Sequence, residues 1–213
     1  MYFIILREVT GENMIRYVIF DLGNVLIHIH PHEVIAEFTR RCNLPTEKIQ
    51  RFYLSELHMN FMEGKHNGKE FYSLMMDTFP CDLSNSEFIN IWNRVIGEPK
   101  DGIDQLVQEL KSEYTLCICS NTDIWHWQKV LKTVDFIRDF THYFLSFELK
   151  YGKPNPVVYK HVLDTLSAAG DECVFIDDIA ENIEAAQEFG IQGIVAEDPL
   201  EIRKKLSEIR IIR

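Results

Sequence analysis

Read for hydrophobic and polar positions alone, the chain shows two periods. Tyr17-Val-Ile-Phe20 is a continuous apolar run that meets Asp21-Leu-Gly23-Asn24 and resumes at Val25-Leu26-Ile27. Such a run predicts a strand buried on both faces, as in a parallel sheet, with Gly-Asn as the turn that ends it. Asp21 then stands at the carboxyl end of a central strand, where open α/β sheets place their ligands. From Glu33 to about Gly97 the spacing becomes helical: Val34, Ile35 and Phe38 share a face, and Leu44-Pro-Thr46-Glu47 reads as a turn into a capped helix. Phe52–Met62, Glu70–Met76 and Glu87–Val95 are amphipathic. This stretch predicts four or five helices and no strand.

Beyond Pro99 strands and helices alternate. Helices are predicted at Ile103–Leu110, Trp125–Val134, Pro156–Ser167, Ile183–Phe189 and Pro199–Ile209. The apolar runs between them are Tyr114–Cys119, His142–Ser146, Cys173–Ile176 and Ile194–Ala196. Alternation of this kind predicts an α/β fold: a doubly wound parallel sheet with right-handed crossovers, interrupted after its first strand by the helical stretch. Residues 1–13 precede the first strand either as an edge strand over Tyr2–Leu6 or as a leader with little order.

Size and charge narrow the partners. The 213 residues suit one domain with a modest insertion, and the net charge of −11, from 33 acidic against 22 basic residues, provides no field for nucleic acid or an anionic membrane. No apolar stretch is long enough to span a bilayer, and the start is too soon charged for a signal peptide. The five cysteines include no C-x-x-C pair and read as small core residues in a reducing compartment, not as a disulfide or zinc framework. A cytoplasmic protein is expected. His28, His30 and His32 could suggest a metal site, but Pro31 breaks the geometry and no nearby cysteine or further histidine completes a set, so a polar hinge is expected. Glu63-Gly64-Lys65-His66-Asn67-Gly68-Lys69 reads as a solvated loop.

The chemistry gathers past the strand ends: Asp21 with Gly23-Asn24, Ser120-Asn121, Lys153, and Asp177-Asp178. In a parallel sheet these converge on one edge. Each cluster alone is ordinary turn or cap chemistry. Together they supply an acidic nucleophile candidate, a hydroxyl, a lysine and a carboxylate pair. Three carboxylates brought together repel one another, and their hard oxygens suit Mg²⁺. A cation, a lysine and amide donors facing one carboxylate suit a transferring phosphoryl group.

These residues resemble the four motifs of the haloacid dehalogenase-like hydrolase superfamily: Phe20-Asp21-Leu-Gly23-Asn24-Val25, Ser120-Asn121-Thr122, Lys153-Pro154, and Phe175-Ile-Asp177-Asp178. Lys153-Pro154-x4-Tyr159 and Asp177-Asp178-x3-Asn182 resemble the branch containing α-D-glucose-1-phosphate phosphatases. The resemblance implies a Rossmann-like core over 14–32 and 98–213, a helical cap over 33–97, and a Mg²⁺-dependent phosphatase acting on a small phosphorylated metabolite, as a monomer or homodimer. It implies that Asp21 forms an aspartyl-phosphate and that Asp21, the Gly23 carbonyl and Asp178 hold Mg²⁺, with Asp177 behind them or sharing the ion. Ser120, the Asn121 amide and Lys153 would hold phosphoryl oxygens. Asn182 would orient an acidic ligand or its water. His126 either reaches the substrate or is a surface helical residue. One departure stands out: most phosphatases of this superfamily carry an acid–base aspartate two residues after the nucleophile, where this chain has Gly23. The enzyme is then expected to be slow, to take its proton from elsewhere, or to use a leaving group needing little protonation, such as the anomeric oxygen of a sugar 1-phosphate. The alternatives are a 2-haloacid dehalogenase, which needs no Mg²⁺, and a non-catalytic phosphate-binding member.

Overall fold

A strand that is apolar at every position needs cover on both faces and partners on both edges, and β1 (Tyr17–Phe20) has all four. The computed structural model describes residues 14–53, 55–79 and 81–212, so the two readings of residues 1–13 lie outside it. β1 sits at the centre of a five-stranded parallel sheet, flanked by β4 (Thr115–Ser120) and β6 (Cys173–Asp177), with β5 (His142–Leu145) and β7 (Gln192–Val195) at the edges. Val18 and Phe20 face one layer, with Ile118 and Ile176, under helices α6 (Ile103–Leu110), α7 (Ile124–Thr133) and α11 (Pro199–Glu208). Tyr17 and Ile19 face the other, with Cys119 and Phe175, under α9 (Pro156–Leu166) and α10 (Ala180–Gln187). The period-two alternation of a strand divides one continuous apolar run between the two layers. This is the doubly wound α/β sheet expected from the sequence.

Between β1 and β4 lie helices α1 (Pro31–Cys42), α2 (Thr46–Phe52), α3 (Glu56–Met62), α4 (Gly68–Thr78) and α5 (Asn85–Trp92). They form a third core around Phe38, Phe52, Phe61, Phe71, Phe88 and Trp92, joined by Trp125 from α7. Asn67 and Ser84 close capping boxes at the starts of α4 and α5. The expected capped helix at Thr46 differs in detail: Thr46 is already helical, Pro45 precedes it, and no side chain caps it. The stretch expected as one amphipathic run over Phe52–Met62 divides between α2 and α3.

Three further expectations are corrected. Ile96–Pro99 is a strand, β3, paired antiparallel with β2 (Ile27–Ile29). Its Ile-Gly-Glu-Pro sequence has weak strand character of its own, and the partner that stabilises it lies some 70 residues away. The loop over 63–69 is docked rather than merely solvated. Lys150, just after α8 (Ser146–Leu149), donates to the Gly64 carbonyl at 2.8 Å, and a Cβ on Gly68 would lie 2.6 Å from the Trp125 ring. Only glycine allows that approach.

The third correction concerns cysteine. Cys42, at the end of α1, is bridged to Cys81, just after α4, with Cα atoms 4.9 Å apart across a sequence separation of 39. An odd cysteine count hid a pair that only the packing of the helices brings together. The other three cysteines are buried in the sheet, where burial pushes the Cys117 and Cys119 thiols up to about 12. Thiol titration of unreduced, urea-unfolded protein is expected to find three thiols of the five. Reduction should lower stability by about 2–4 kcal/mol, from the loop-closure entropy of a bridge of this span. A count of five would remove the bridge. Among the described residues, no helix is long and apolar enough to cross a membrane.

Candidate active site

The carboxyl ends of β1, β4 and β6 deliver Asp21, Ser120 and Asp177 to one edge because the three strands are parallel and in register. The Asp21 amide donates to the Ile176 carbonyl at 2.8 Å, fixing the end of β1 against β6. Lys153 arrives from the loop before α9, behind a cis Lys153–Pro154 bond. Its loop is held by Asn121, whose amide group donates to the Lys153 carbonyl (2.8 Å) and accepts from the Lys153 amide (2.7 Å). Asn121 thus positions the lysine through its side chain, beyond the backbone role expected of it.

Lys153 Nζ lies 2.8 Å from Asp21 Oδ1 and 2.6 Å from Asp177 Oδ2, all three being buried. Burial alone would push the ammonium down, but Asp21 and Asp177 together outweigh it and hold the charge on. Burial, reinforced by Asp177 and opposed by Lys153, raises the Asp21 carboxyl from 3.8 to about 6. Asn182 donates to both oxygens of Asp177, at 3.0 and 3.1 Å, and Ile179 donates its amide to Oδ1 at 2.8 Å. Tyr159 in turn donates to the Asn182 carbonyl at 2.8 Å. Asn24, in the left-handed region at φ 58°, donates to Asp178 Oδ2 at 3.0 Å. Asparagine tolerates that conformation, so the turn and the carboxylate's position come from one residue.

Carboxylate oxygens of Asp21, Asp177 and Asp178 lie within 4.8 Å of one another. The donor set fits a hard divalent cation: oxygens alone, more negative charge than one lysine offsets, and room for water. Both Asp177 oxygens are already engaged by Lys153, Asn182 and Ile179. Asp21 and Asp178, with the Gly23 carbonyl, therefore keep the free acceptor capacity. Gly23 leaves no empty space either. A Cβ there would come within 3.3 Å of Ile29 Cγ2, so Ile29 closes the wall where a side chain would stand.

These groups line a cavity of about 280 Å³ that includes Asp21, Gly23, Ser120, Asn121, His126, Lys153, Asp178 and Asn182. Asp177 lies beneath it. A larger open groove of about 830 Å³ runs past Trp125 and Lys69, but no carboxylate lines it. His126 proves to be buried, so its reading as a surface residue is corrected. Its ring stacks on Trp92 and borders the cavity. Both ring nitrogens are committed: Nδ1 lies 2.7 Å from Asp123 and Nε2 3.1 Å from the Trp92 carbonyl. This leaves His126 no free nitrogen for a substrate.

Asp123 was not singled out by the sequence reading. It caps α7 through the Trp125 and His126 amides and accepts from the Trp92 indole at 2.9 Å. Burial pushes its carboxyl up, yet His126 and the surrounding donors outweigh this and hold it below its ordinary range. The cap chemistry expected at Ser120-Asn121 falls instead to Asp123, and the buried network behind it has no sequence signal. Ligand atoms of His30, His32 and Glu33 also come within 4.8 Å of one another. This group lies at the start of α1, apart from the carboxylate edge. His28 belongs to β2, so the expected hinge begins only at His30.

The pattern of the haloacid dehalogenase-like hydrolases matches residues 15–190. A D-ribitol-5-phosphate phosphatase from Bacteroides thetaiotaomicron is 21% identical over 203 residues, covering 92% of this chain and 98% of that protein. A phosphorylated carbohydrates phosphatase from Thermotoga maritima is 26% identical, covering 83% of this chain and 82% of that one. The crystal structure of a HAD family enzyme from Bacteroides thetaiotaomicron, in complex with magnesium and inorganic phosphate, superposes with a TM-score of 0.78 at 27% identity. It covers 84% of this chain and 93% of that chain.

Proposed function

The chain belongs to the haloacid dehalogenase-like hydrolase family, and from that premise we propose that it is a Mg²⁺-dependent phosphatase of small sugar or polyol phosphates. The observation that carries this reading is the buried Asp21–Lys153–Asp177 array opening beside Asp178. The phosphatases of ribitol 5-phosphate and of phosphorylated carbohydrates among its relatives support the substrate class, and the magnesium complex of a similar enzyme supports the ion. Helices α1–α5, from Pro31 to Trp92, serve as the cap, close to the expected span of 33–97, over a core built on the parallel sheet.

In this mechanism Asp21 attacks phosphorus. An Asp21–phosphorus bond forms, the ester's phosphorus–oxygen bond breaks, and the leaving oxygen takes up a proton. Water then cleaves the aspartyl-phosphate, releasing inorganic phosphate and regenerating the carboxylate. Ser120, the Asn121 amide and Lys153 hold the phosphoryl oxygens, and Lys153 keeps Asp21 ionised. Asp21, the Gly23 carbonyl and Asp178 would hold Mg²⁺, which when bound offsets charge on the phosphoryl group. Asn182 and Ile179 keep Asp177 aimed at Lys153.

Gly23 supplies no proton. General acid help is worth about 10²–10⁴ in rate, so an ester whose leaving oxygen needs little protonation is favoured. Among sugar phosphates, a sugar 1-phosphate meets that condition best. The test is a panel of sugar 1-phosphates, sugar 6-phosphates, ribitol 5-phosphate and phenyl phosphate, with Mg²⁺ and with EDTA. Phosphate release that EDTA abolishes and Mg²⁺ restores is the expected result. Equal turnover of the 1- and 6-phosphates would remove the anomeric refinement, whereas halide release from 2-haloacids without metal would turn the reading toward a dehalogenase.

A further inference from the structure

The floor of the cavity carries the phosphoryl chemistry, and its upper wall comes from the helical layer and the β2–β3 ribbon. Ile29, Met62, Val95 and Ile96 make that wall apolar, and no charged side chain stands among its lining residues. Two polar side chains interrupt it, Tyr53 and His58. His58 Nδ1 lies 2.9 Å from the Tyr53 carbonyl. A carbonyl only accepts, so Nδ1 carries a hydrogen, and in the neutral ring Nε2 then carries the lone pair. Burial holds the His58 ring below its ordinary value, which keeps it neutral near pH 7. Phe52, Tyr53 and Trp92 surround the ring at 5.1–5.6 Å and fix its orientation.

Tyr53 is fixed as well, its ring stacked on Trp92 at 6.0 Å and 6°. Burial, with a smaller push from Asp123, raises its phenol, which therefore stays an O–H donor. Among the described residues neither Nε2 of His58 nor the Tyr53 hydroxyl has a hydrogen-bond partner, and neither is a sealed, unsatisfied atom. One acceptor and one donor, rigidly held in an otherwise apolar and uncharged wall, match the needs of substrate hydroxyls.

We propose that His58 and Tyr53 form the leaving-group subsite, His58 Nε2 accepting from and the Tyr53 hydroxyl donating to hydroxyls of a small, uncharged polyol or sugar moiety. The pair thereby selects polyhydroxylated monoesters over esters with no hydroxyl and over those bearing a second charge. The volume agrees: about 280 Å³ lies just below the roughly 300–1,000 Å³ of pockets for drug-sized ligands, which suits a small leaving group. The inference rests on the phosphatase reading and deepens it.

The test compares kcat/KM for ribitol 5-phosphate with that for phenyl phosphate, in wild type and in the His58→Phe, His58→Gln and Tyr53→Phe variants. Losing one neutral hydrogen bond should lower the ribitol-to-phenyl ratio about 3- to 10-fold in His58→Phe and in Tyr53→Phe, chiefly through KM. His58→Gln, which restores an acceptor, should recover part of it. Tyr53→Phe keeps the ring stacked and decides the matter if His58→Phe does not fold. An unchanged ratio, both esters losing equally, overturns the subsite while leaving the phosphatase intact. A wild type that hydrolyses neither ester overturns the subsite, and one that hydrolyses no ester of the full panel overturns the phosphatase reading with it.

Discussion

An Asp21→Asn variant is expected to lose turnover by about 10⁴-fold or more while becoming more stable than the wild type at neutral pH. The loss follows from removing the proposed nucleophile. The gain follows from the same burial that makes the site. The Asp21 carboxyl is raised from 3.8 to about 6 by burial, with Asp177 adding to the rise and Lys153 opposing it. A carboxyl raised in the folded state costs stability wherever it is ionised there, and the cost disappears once the unfolded chain is protonated too. The variant's advantage should therefore be full above about pH 6, shrink as the pH falls, and vanish below about pH 4. Its size at pH 7 is on the order of 1–3 kcal/mol. Asparagine can keep its carbonyl oxygen toward Lys153, so the packing survives. Urea unfolding at pH 7.5 and at pH 4 checks the sign. A variant less stable at pH 7.5 would mean that Lys153 more than offsets the burial of Asp21.

Lys153→Met should act in the opposite direction on stability. The ammonium is buried, lies 2.8 Å from Asp21 and 2.6 Å from Asp177, and sits 5.2 Å above the Phe175 ring. Methionine fills similar space but leaves two carboxylates buried without their cation, a change that typically costs about 3–5 kcal/mol. Losing its proposed contact to the phosphoryl oxygens should cost roughly 10²–10³ in kcat as well. The pH dependence separates charge from packing. Without the lysine the Asp21 carboxyl loses the charge that opposes its rise, so protonation relieves the strain as the pH falls. The deficit should be largest near pH 8 and much smaller near pH 5. A deficit independent of pH would assign it to lost packing. Lys153→Arg should not rescue activity, because the planar guanidinium cannot place one nitrogen between two carboxylates set for an ammonium.

The elements legible in the sequence are those whose cause is local. The β1 run announces itself because a strand covered on both faces has no polar position to disguise it. α6, α7 and α9 follow from apolar spacing with Pro156 at a helix start, and Asp21, Ser120 and Asp177 follow from standing where those runs end. Parallel register then brings them together, as topology alone requires. β3 escaped the reading because Ile96–Pro99 is held by Ile27–Ile29, across the whole helical insertion. The Cys42–Cys81 bridge escaped for the same reason.

At the site the division is finer. Residue type and order were enough to propose an acidic nucleophile, a lysine, a carboxylate pair and a hard cation, since those choices depend on chemistry at strand ends. Which oxygen remains open was decided only in three dimensions, where Asn182 and Ile179 saturate Asp177 and Asn24 aims Asp178. His126 was visible as a residue, but its role was not, because Asp123 and Trp92 claim both its nitrogens. Tyr53 and His58 fall within the amphipathic stretch Phe52–Met62, and only packing turns them toward the cavity. By itself the sequence determined the sheet, its order of elements and the class of chemistry, because periodicity and turn residues act between near neighbours. Only the tertiary structure decided which polar atoms are left unpaired to meet a substrate, because pairing depends on partners that the chain brings together from far apart.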